Sequence, residues 1–256
     1  MLTRSLALVV CLVCCPVLLA GDLEPSPGEQ VAARLMVTVE GDTPREVEVP
    51  FLLYVPEDYE AGDKAWPLVL FLHGAGERGD GSDEQLKKVA VHGPPKQAAA
   101  GRQFPFIVVS PQCSYDEPNI PRGWQADQLL ALLDKLETEL KIDTDRVYLT
   151  GLSMGGFGSW RLAAAAPTRF AAVAPICGGG NTNDVAALVE VPVWAFHGAK
   201  DPVVKLESSI KCVDAIREAG GHPRLTVYPE ASHDSWTQTY DNPMFYEWLL
   251  GERRQK

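Results

Sequence analysis

The sequence predicts an α/β fold, built on a mostly parallel sheet with helices on both faces. Short, continuous apolar segments recur from residue 68 to the end of the chain, and such segments are typical of parallel strands that are buried on both faces. Stretches with helical spacing alternate with these segments, which is the order of strand–helix–strand units. A glycine-rich turn at 151–155 joins one apolar segment directly to a predicted helix.

The individual elements follow from local patterns. Segments 35–40 and 46–55 flank a turn at 41–44 and predict an antiparallel hairpin at a sheet edge. The predicted parallel strands are 68–72, 106–109, 147–150, 171–176, 193–196 and 225–228. The predicted helices are 124–141, 155–166, 203–219 and 244–250, of which the first carries five leucines on one stripe.

The N-terminal segment, residues 1–20, predicts a signal peptide. It has one charge, an apolar run and a small residue at its end. A membrane anchor is the alternative, but the run is shorter than the ~20 residues needed to span a bilayer and Pro16 interrupts it. We therefore expect a secreted or periplasmic protein in which residues 21–256 form a single domain, with no stable membrane association after signal removal.

The charge and the cysteine content limit which binding partners, disulfides and cofactors are expected. The chain has 34 acidic and 23 basic residues, a formal net charge of −11, which argues against nucleic acid as a partner. Cys113, Cys177 and Cys212 lie outside the signal segment, so at most one disulfide is expected and its pairing stays open. No cofactor is expected, because the five histidines lack metal-ligand spacing and no CxxC or HExxH motif is present after residue 20.

The turn Gly151-Leu-Ser153-Met-Gly155 matches the G-x-S-x-G pattern of a nucleophile. Glycines two before and two after the serine allow the strand and the helix to approach closely, so the hydroxyl stands clear of the sheet. The helix N-terminus directs a partial positive charge and free N–H groups at the same place. An ordinary Gly/Ser turn is the alternative, but the strand before and the helix after favour Ser153 as a nucleophile.

Two later loops provide partners for this serine. Asp201 follows the strand 193–196, and His233 follows the last strand. The chain order Ser153, Asp201, His233 is the order of the serine hydrolases that use this α/β architecture. In the mechanism that this order predicts, Ser153 attacks a carbonyl carbon, His233 takes its proton and Asp201 fixes the tautomer of His233.

Both partners have alternative interpretations. Asp201 precedes a proline and would also suit a helix N-cap. His233 would also suit an exposed loop without a catalytic role. Asp184 and Asp234 are weaker candidates for the acid, because Asp234 adjoins the histidine in sequence and Asp184 follows the preceding strand.

The segment 72–81, which follows the first parallel strand, predicts half of an oxyanion hole. Its four glycines allow the backbone N–H groups to approach a ligand closely. The expected donors are the N–H of Ala75, with Gly76 as second choice, and the N–H of Met154. A phosphate-binding loop is a poor alternative, since neither GxGxxG nor GxxxxGK[ST] is present.

Four motifs in order resemble the α/β-hydrolases. They are LHGAGERG at 72–79, GLSMGG at 151–156, HGAKD at 197–201 and SHDSW at 232–236. The chain is most similar to secreted esterases of the feruloyl esterase and polyhydroxybutyrate depolymerase group. Dienelactone hydrolases resemble it too, but they carry cysteine at the nucleophile position, where this chain has Ser153. The resemblance implies an α/β-hydrolase fold and a serine esterase.

The leading hypothesis is therefore an ester hydrolase that works through an acyl-enzyme on short-chain or aromatic acyl esters, including polymer-borne ones. A serine peptidase or acyltransferase is an alternative, and a non-catalytic binding module is another. The connection 178–191 is too short for a lid of several helices, so we expect an open site without a large cap domain. Trp124, Trp236 and Gln112 lie near the expected site, where they would line a pocket or pack in the core.

Overall fold

The computed structural model describes residues 23–60, 62–115 and 123–254. The predicted signal peptide lies outside these residues. The strands are β1 (Gln30–Val39), β2 (Arg45–Tyr54), β3 (Trp66–Leu72), β4 (Ile107–Pro111), β5 (Ile142–Leu152), β6 (Ala172–Ile176), β7 (Trp194–Gly198) and β8 (Arg224–Tyr228). They form one sheet in the order β1-β2-β4-β3-β5-β6-β7-β8. The pairs β1–β2 and β2–β4 are antiparallel and the other five pairs are parallel, which confirms the edge hairpin and the mostly parallel sheet.

The helices are α1 (Asp83–Leu86), α2 (Gly93–Ala99), α3 (Ala126–Glu139), α4 (Met154–Ala165), α5 (Thr182–Val185), α6 (Glu207–Glu218), α7 (Trp236–Asp241) and α8 (Pro243–Gly251). The four predicted helices correspond to α3, α4, α6 and α8, and the five leucines of the stripe on α3 are buried. The sequence analysis missed α2, which opens with Gly-Pro-Pro. Proline is tolerated in the first helical turn because the N–H groups there have no partner within the helix.

Helices cover both faces of the sheet, as β3 illustrates. Leu68, Leu70 and Leu72 pack in the core that contains α3, α4 and α6. Val69 and Phe71 point to the opposite face, where α2, α7 and α8 pack. Because both sets of side chains are buried, the strand has the continuous apolar pattern from which it was predicted.

The connection between β6 and β7 carries α5 and a single 3-10 turn, Ala186–Leu188. This finding confirms the expectation that no large cap is inserted there. Across the described ranges, none of the helices combines the length and the apolar character that crossing a bilayer requires.

The N-terminus of α4 packs backbone against backbone on the end of β3. A Cβ atom on Gly155 would lie 1.8 Å from the carbonyl oxygen of Leu72, and one on Gly151 would lie 2.5 Å from the carbonyl oxygen of Gly155. Real Cβ atoms do not approach backbone oxygens so closely. The two glycines of the G-x-S-x-G turn are therefore required by packing.

We predict that Gly155→Ala lowers the free energy of unfolding by about 3 kcal/mol, since a backbone carbonyl cannot rotate away from the added methyl group as a side chain would. Gly41→Ala in the hairpin turn is the control, because the space around a Cβ there is open. It should change stability by less than about 0.5 kcal/mol. Urea unfolding of both variants checks this prediction, and equal midpoints would contradict it.

Candidate active site

Ser153 lies at the sharp turn between β5 and α4. Its φ of 52° and ψ of −115° lie in a region that residues other than glycine rarely adopt. Its N–H donates to the carbonyl oxygen of Ile176 at 3.0 Å, and its own carbonyl accepts from Phe157 at 3.0 Å. These two bonds hold the strained backbone, and the residue stays half-buried at the carboxyl edge of the sheet.

His233 lies between Ser153 and Asp201. Its Nε2 is 3.0 Å from Ser153 Oγ, and its Nδ1 is 2.7 Å from Asp201 Oδ2. The structure thus brings together the three side chains that the sequence analysis selected from three separate loops. In this arrangement the imidazole can take a proton from the serine while the carboxylate holds its other nitrogen.

The weaker candidates for the acid have other roles. The carboxylate of Asp234 accepts from the N–H of Thr237 at 2.9 Å and from its hydroxyl at 2.8 Å. Asp184 lies exposed in α5. Within the described part of the chain, Asp201 is the residue whose carboxylate contacts the ring of His233.

The side chain of Asp201 is fully buried. Its Oδ1 accepts from the N–H groups of Val203 and Val204 at 2.8 and 2.9 Å. Burial by itself would raise the pKa of Asp201, but the bond from His233 and these two N–H groups outweigh burial and hold the pKa below its usual value. One oxygen therefore caps a turn while the other holds His233. Because this turn intervenes, α6 begins at Glu207 and the predicted start at 203 is wrong.

His197, near the end of β7, lies against the buried side of Asp201. Its Nε2 is 2.9 Å from the carbonyl oxygen of Val204 and 3.4 Å from Asp201 Oδ2. Its Nδ1 is 2.8 Å from Ser209 Oγ, which lies 2.9 Å from the carbonyl oxygen of Gly178. By donating from Nε2 to the carbonyl oxygen of Val204, His197 holds the turn whose backbone N–H groups bind the carboxylate of Asp201. The sequence analysis missed this role, although a histidine at the end of the strand, four residues before the acid, is the signal for it.

The predicted oxyanion donors lie on two adjacent segments. Met154 is the first residue of α4, and Ala75 opens the short 3-10 turn Ala75–Glu77. Among the described residues, neither N–H donates to a protein acceptor. The contact between Gly155 and Leu72 keeps the two segments side by side. Both N–H groups are therefore available to a developing oxyanion.

His73 is buried within the segment 72–81, which we call the oxyanion loop after the role proposed for it. The N–H of Cys113 donates to Nε2 at 3.0 Å, so the proton sits on Nδ1, which donates to the carbonyl oxygen of Gly74 at 2.6 Å. Trp124 Nε1 donates to the carbonyl oxygen of His73 at 3.2 Å, and the two rings meet edge to face. Burial lowers the pKa of His73 to about 4, so the imidazole is neutral at physiological pH.

We predict that lowering the pH from 6.5 to about 4 destabilises the protein through His73. The unfolded state binds a proton there near pH 6.5 and the folded state only near pH 4, so the unfolded state carries more protons in this window. The full effect amounts to about 3 kcal/mol. Urea unfolding at several pH values should show a shallower pH dependence for His73→Leu than for the wild type.

Carboxylates also titrate in this window, but they contribute to both proteins and cancel in the comparison. His222→Leu, at an exposed histidine, is the matched control and should keep the wild-type pH dependence. Equal slopes for His73→Leu and the wild type would overturn the prediction.

The three residues expected near the site differ in position. Trp124 and Gln112 line a cleft of about 610 Å³ at the same edge of the sheet, whose described lining does not include the Ser–His–Asp side chains. Gln112 is buried and braces the oxyanion loop, because its side chain donates to the carbonyl oxygen of Glu77 at 3.0 Å. Trp236 packs on His233, with ring centroids 5.2 Å apart.

Cys113, Cys177 and Cys212 are buried thiols rather than disulfide partners. Burial raises the pKa of Cys177 to about 12. Cys177, Asp201 and His233 form the one cluster of potential metal ligands within the described residues, with ligand atoms within 4.8 Å of one another. Asp201 and His233 already bind each other and the thiol is protonated, so this cluster favours the Ser–His–Asp arrangement over a metal site.

Comparisons with known proteins agree with this geometry. The Dienelactone hydrolase family model matches residues 120–244, which include all three residues of the Ser–His–Asp arrangement. The chain is similar to probable feruloyl esterase C of Aspergillus niger, with 23% identity over 196 residues that cover 74% of this chain and 68% of that protein. It is also similar to poly(3-hydroxyalkanoate) depolymerase C of Paucimonas lemoignei, with 34% identity over 125 residues that cover 44% of this chain and 28% of that protein.

Solved structures extend the similarity over most of the chain. A thermostable esterase shares 36% identity at a TM-score of 0.68, over 86% of this chain and 63% of that one. A ferulic acid esterase shares the fold at a TM-score of 0.61 and 18% identity, over 87% of this chain and 96% of that one. The chain spans less than two thirds of the thermostable esterase and of the depolymerase. The chain has the α/β-hydrolase fold, and its similarity to esterases supports the hydrolysis of carboxylic esters.

Proposed function

We propose that the protein is an exported serine esterase that forms an acyl-enzyme on Ser153. The observation that carries this proposal is a chain of two hydrogen bonds. One joins Ser153 Oγ to His233 Nε2 at 3.0 Å, and the other joins His233 Nδ1 to the buried Asp201 Oδ2 at 2.7 Å. A serine hydroxyl is a weak nucleophile until a neighbouring base takes its proton. The signal-peptide pattern at 1–20 supports export.

Acylation uses these groups in order. Ser153 Oγ bonds to the ester carbonyl carbon while its proton passes to His233 Nε2. The carbonyl oxygen becomes negatively charged and accepts from the N–H groups of Ala75 and Met154. His233 then gives its proton to the alcohol oxygen as the carbon–oxygen bond of the ester breaks, and the alcohol leaves.

Deacylation repeats the sequence with water. His233 takes a proton from water, whose oxygen bonds to the acyl carbon, and returns the proton to Ser153 Oγ as the carboxylic acid departs. Asp201 stays ionised throughout, because its pKa lies below the usual value. Its charge stabilises the imidazolium and keeps the proton on Nδ1 of His233.

Short-chain and aromatic acyl esters, including polymer-borne ones, are the substrates that we propose. The connection between β6 and β7 carries only α5 and a 3-10 turn, so no lid covers the acyl group there. A long acyl chain gains about 0.8 kcal/mol for each methylene group only where apolar surface buries it. The names of two relatives, a feruloyl esterase and a polyester depolymerase, support aromatic and polymer-borne acyl groups.

We predict that Ser153→Ala abolishes hydrolysis of an activated acetyl ester and labelling by a fluorophosphonate probe, because no nucleophilic hydroxyl remains. Asp201→Asn should lower kcat/KM by about 10⁴-fold, since the amide reverses the tautomer preference of His233. Rates and probe labelling are measured on the purified proteins, with urea unfolding to show that both variants remain folded.

Asp234→Asn is the matched control for the acid, because this carboxylate binds Thr237 rather than His233. It should keep kcat/KM within about threefold of the wild type, as expected for a residue outside the site. If Asp234→Asn were inactive and Asp201→Asn active, the acid would be misassigned. Turnover by Ser153→Ala well above the uncatalysed rate would exclude Ser153 as the nucleophile.

We also predict that acetyl and cinnamoyl-type esters of one alcohol are hydrolysed more efficiently than long-chain esters, since no lid buries the chain. Feruloylated or acetylated xylan should release its acid, because an open site admits a polymer. The measurements are kcat/KM across the acyl series and acid release from the polymer. Efficiency that rises steadily beyond about eight carbons, at 0.8 kcal/mol per methylene, without release from xylan, would contradict the open site.

A further inference from the structure

His197 makes polar contacts through both ring nitrogens, and its side chain is completely buried. Nε2 lies 2.9 Å from the carbonyl oxygen of Val204 and 3.4 Å from Asp201 Oδ2. Nδ1 lies 2.8 Å from Ser209 Oγ, and this hydroxyl oxygen lies 2.9 Å from the carbonyl oxygen of Gly178. These contacts determine how many protons the ring carries.

The acceptors at the two ends of this network fix the protons of the ring between them. Both partners of Nε2 are oxygens without a proton, a carbonyl and a carboxylate, so Nε2 must carry one. At the other end, the hydroxyl of Ser209 donates to the carbonyl oxygen of Gly178. A hydroxyl has a single proton, so Ser209 Oγ can only accept from Nδ1. A proton on each nitrogen makes His197 an imidazolium cation.

A neutral ring at His197 would leave a buried carbonyl without a donor. The hydroxyl proton of Ser209 would have to point at Nδ1, and its oxygen would then face the carbonyl oxygen of Gly178 at 2.9 Å with no proton between them. Two oxygens in such a contact repel each other. Gly178 is also buried, and a buried carbonyl without a hydrogen bond is costly. The geometry therefore favours the cation over the neutral ring.

A cation at this position also balances the charge of the acid. The side chain of Asp201 is fully buried, and it is ionised because its pKa lies below the usual value. A buried charge normally requires a partner of opposite charge. His233 has to be neutral before it can take the serine proton, so it does not supply that charge in the resting protein. His197 contacts the same carboxylate oxygen and supplies it.

The other ionisable groups around the two histidine rings do not provide a positive charge there. The thiol of Cys177, just after β6, is protonated and neutral because burial raises its pKa to about 12. The charged side chains of the neighbouring loops and of the start of α6 are exposed to solvent, and they are Lys200, Lys205, Glu207 and Asp234. Within the described part of the chain, His197 is thus the group that is placed to neutralise the acid.

We propose that His197 is a positioning residue that carries a positive charge, an imidazolium that holds the carboxylate of Asp201 from the side opposite to catalysis and opposes a second proton on His233. The proposal rests on the esterase function proposed above and adds a second histidine to its catalytic arrangement. A lone carboxylate would favour protonation of His233 and so block the base. The charge on His197 offsets part of that attraction, while the hydrogen bond from His233 to Asp201 still sets the tautomer.

The first measurement counts the protons on His197 by NMR of the histidine ring nitrogens and their attached protons. It uses the wild-type protein near neutral pH, and contacts with the signals of Val204 and Ser209 assign the ring. We expect two N–H groups and two nitrogens of similar chemical shift, as in an imidazolium. His73 is the matched control, because it is also buried but should show one N–H, on Nδ1, since burial lowers its pKa to about 4. A single N–H on His197 would overturn the proposal.

The second measurement is the pH profile of kcat/KM for an activated acetyl ester. His197→Gln removes the charge and keeps an amide that can donate to the carbonyl oxygen of Val204. Its acidic limb should move to higher pH by about one unit, because a cation within about 6 Å of His233 Nδ1 no longer opposes protonation of that ring. A merely structural role would lower the plateau at high pH and leave the acidic limb in place.

Two further variants separate the charge from the packing. His197→Phe removes both the charge and the donor to Val204, so it should show the same displacement of the limb and a plateau about tenfold lower. His222→Gln, at an exposed histidine, is the matched control and should keep the wild-type profile. An acidic limb that stays in place in folded His197→Gln would overturn the proposal. If neither His197 variant folds, the proton count on the wild-type protein still decides it.

Failure of the esterase function itself gives a different result. A wild-type protein that neither hydrolyses the ester nor reacts with a fluorophosphonate probe overturns the proposed function, whereas the NMR signals of His197 do not depend on turnover. An active protein with a single N–H on His197 overturns the charged histidine alone.

Discussion

The backbone contact between Gly155 and Leu72 is the constraint on which the site depends. Because α4 begins so close to the end of β3, there is no room for a side chain at residue 155. The chain just before it, at Ser153 and Met154, must therefore make a tight turn. Ser153 adopts its strained backbone as a result. The chain that leaves β3 also passes close to the start of α4, since a Cβ on Gly155 would lie 2.8 Å from the carbonyl oxygen of His73. One packing contact thus positions both the proposed nucleophile and the proposed oxyanion donors.

The acid and the base depend on a second contact of the same kind. A Cβ on Gly198, at the end of β7, would lie 2.1 Å from the carbonyl oxygen of Ser232, so the loops after β7 and β8 touch through their backbones. The N–H of Lys200 donates to the carbonyl oxygen of Ala231 at 3.0 Å and fastens the two loops together. Asp201 and His233 follow these points of contact by only a few residues. Backbone packing between the two loops therefore sets the distance of 2.7 Å between His233 Nδ1 and Asp201 Oδ2.

The sequence was most informative where one segment carried the whole signal. The strands, the larger helices and the loops that hold Ser153, Asp201 and His233 could be predicted, because each follows from local periodicity or a local motif. The contacts among Glu77, His92 and Trp236 could not, since these residues lie in segments far apart in the sequence that only the fold brings together. Cys177 was also beyond prediction, because its φ is 41° and no local pattern marks a non-glycine residue for that conformation.

The absence of a lid between β6 and β7 changes how the site must be organised. Enzymes with a mobile lid complete their catalytic arrangement and exclude water when the lid closes on the substrate. Here no such step is available from that connection, so the groups must already be in position before a substrate arrives. The strained backbones of Ser153 and Cys177 lie side by side, joined by the bond from Ser153 N–H to the carbonyl oxygen of Ile176. Strain of this kind persists only where the surrounding packing is rigid, and in the proposed open site that rigidity would replace the closure of a lid.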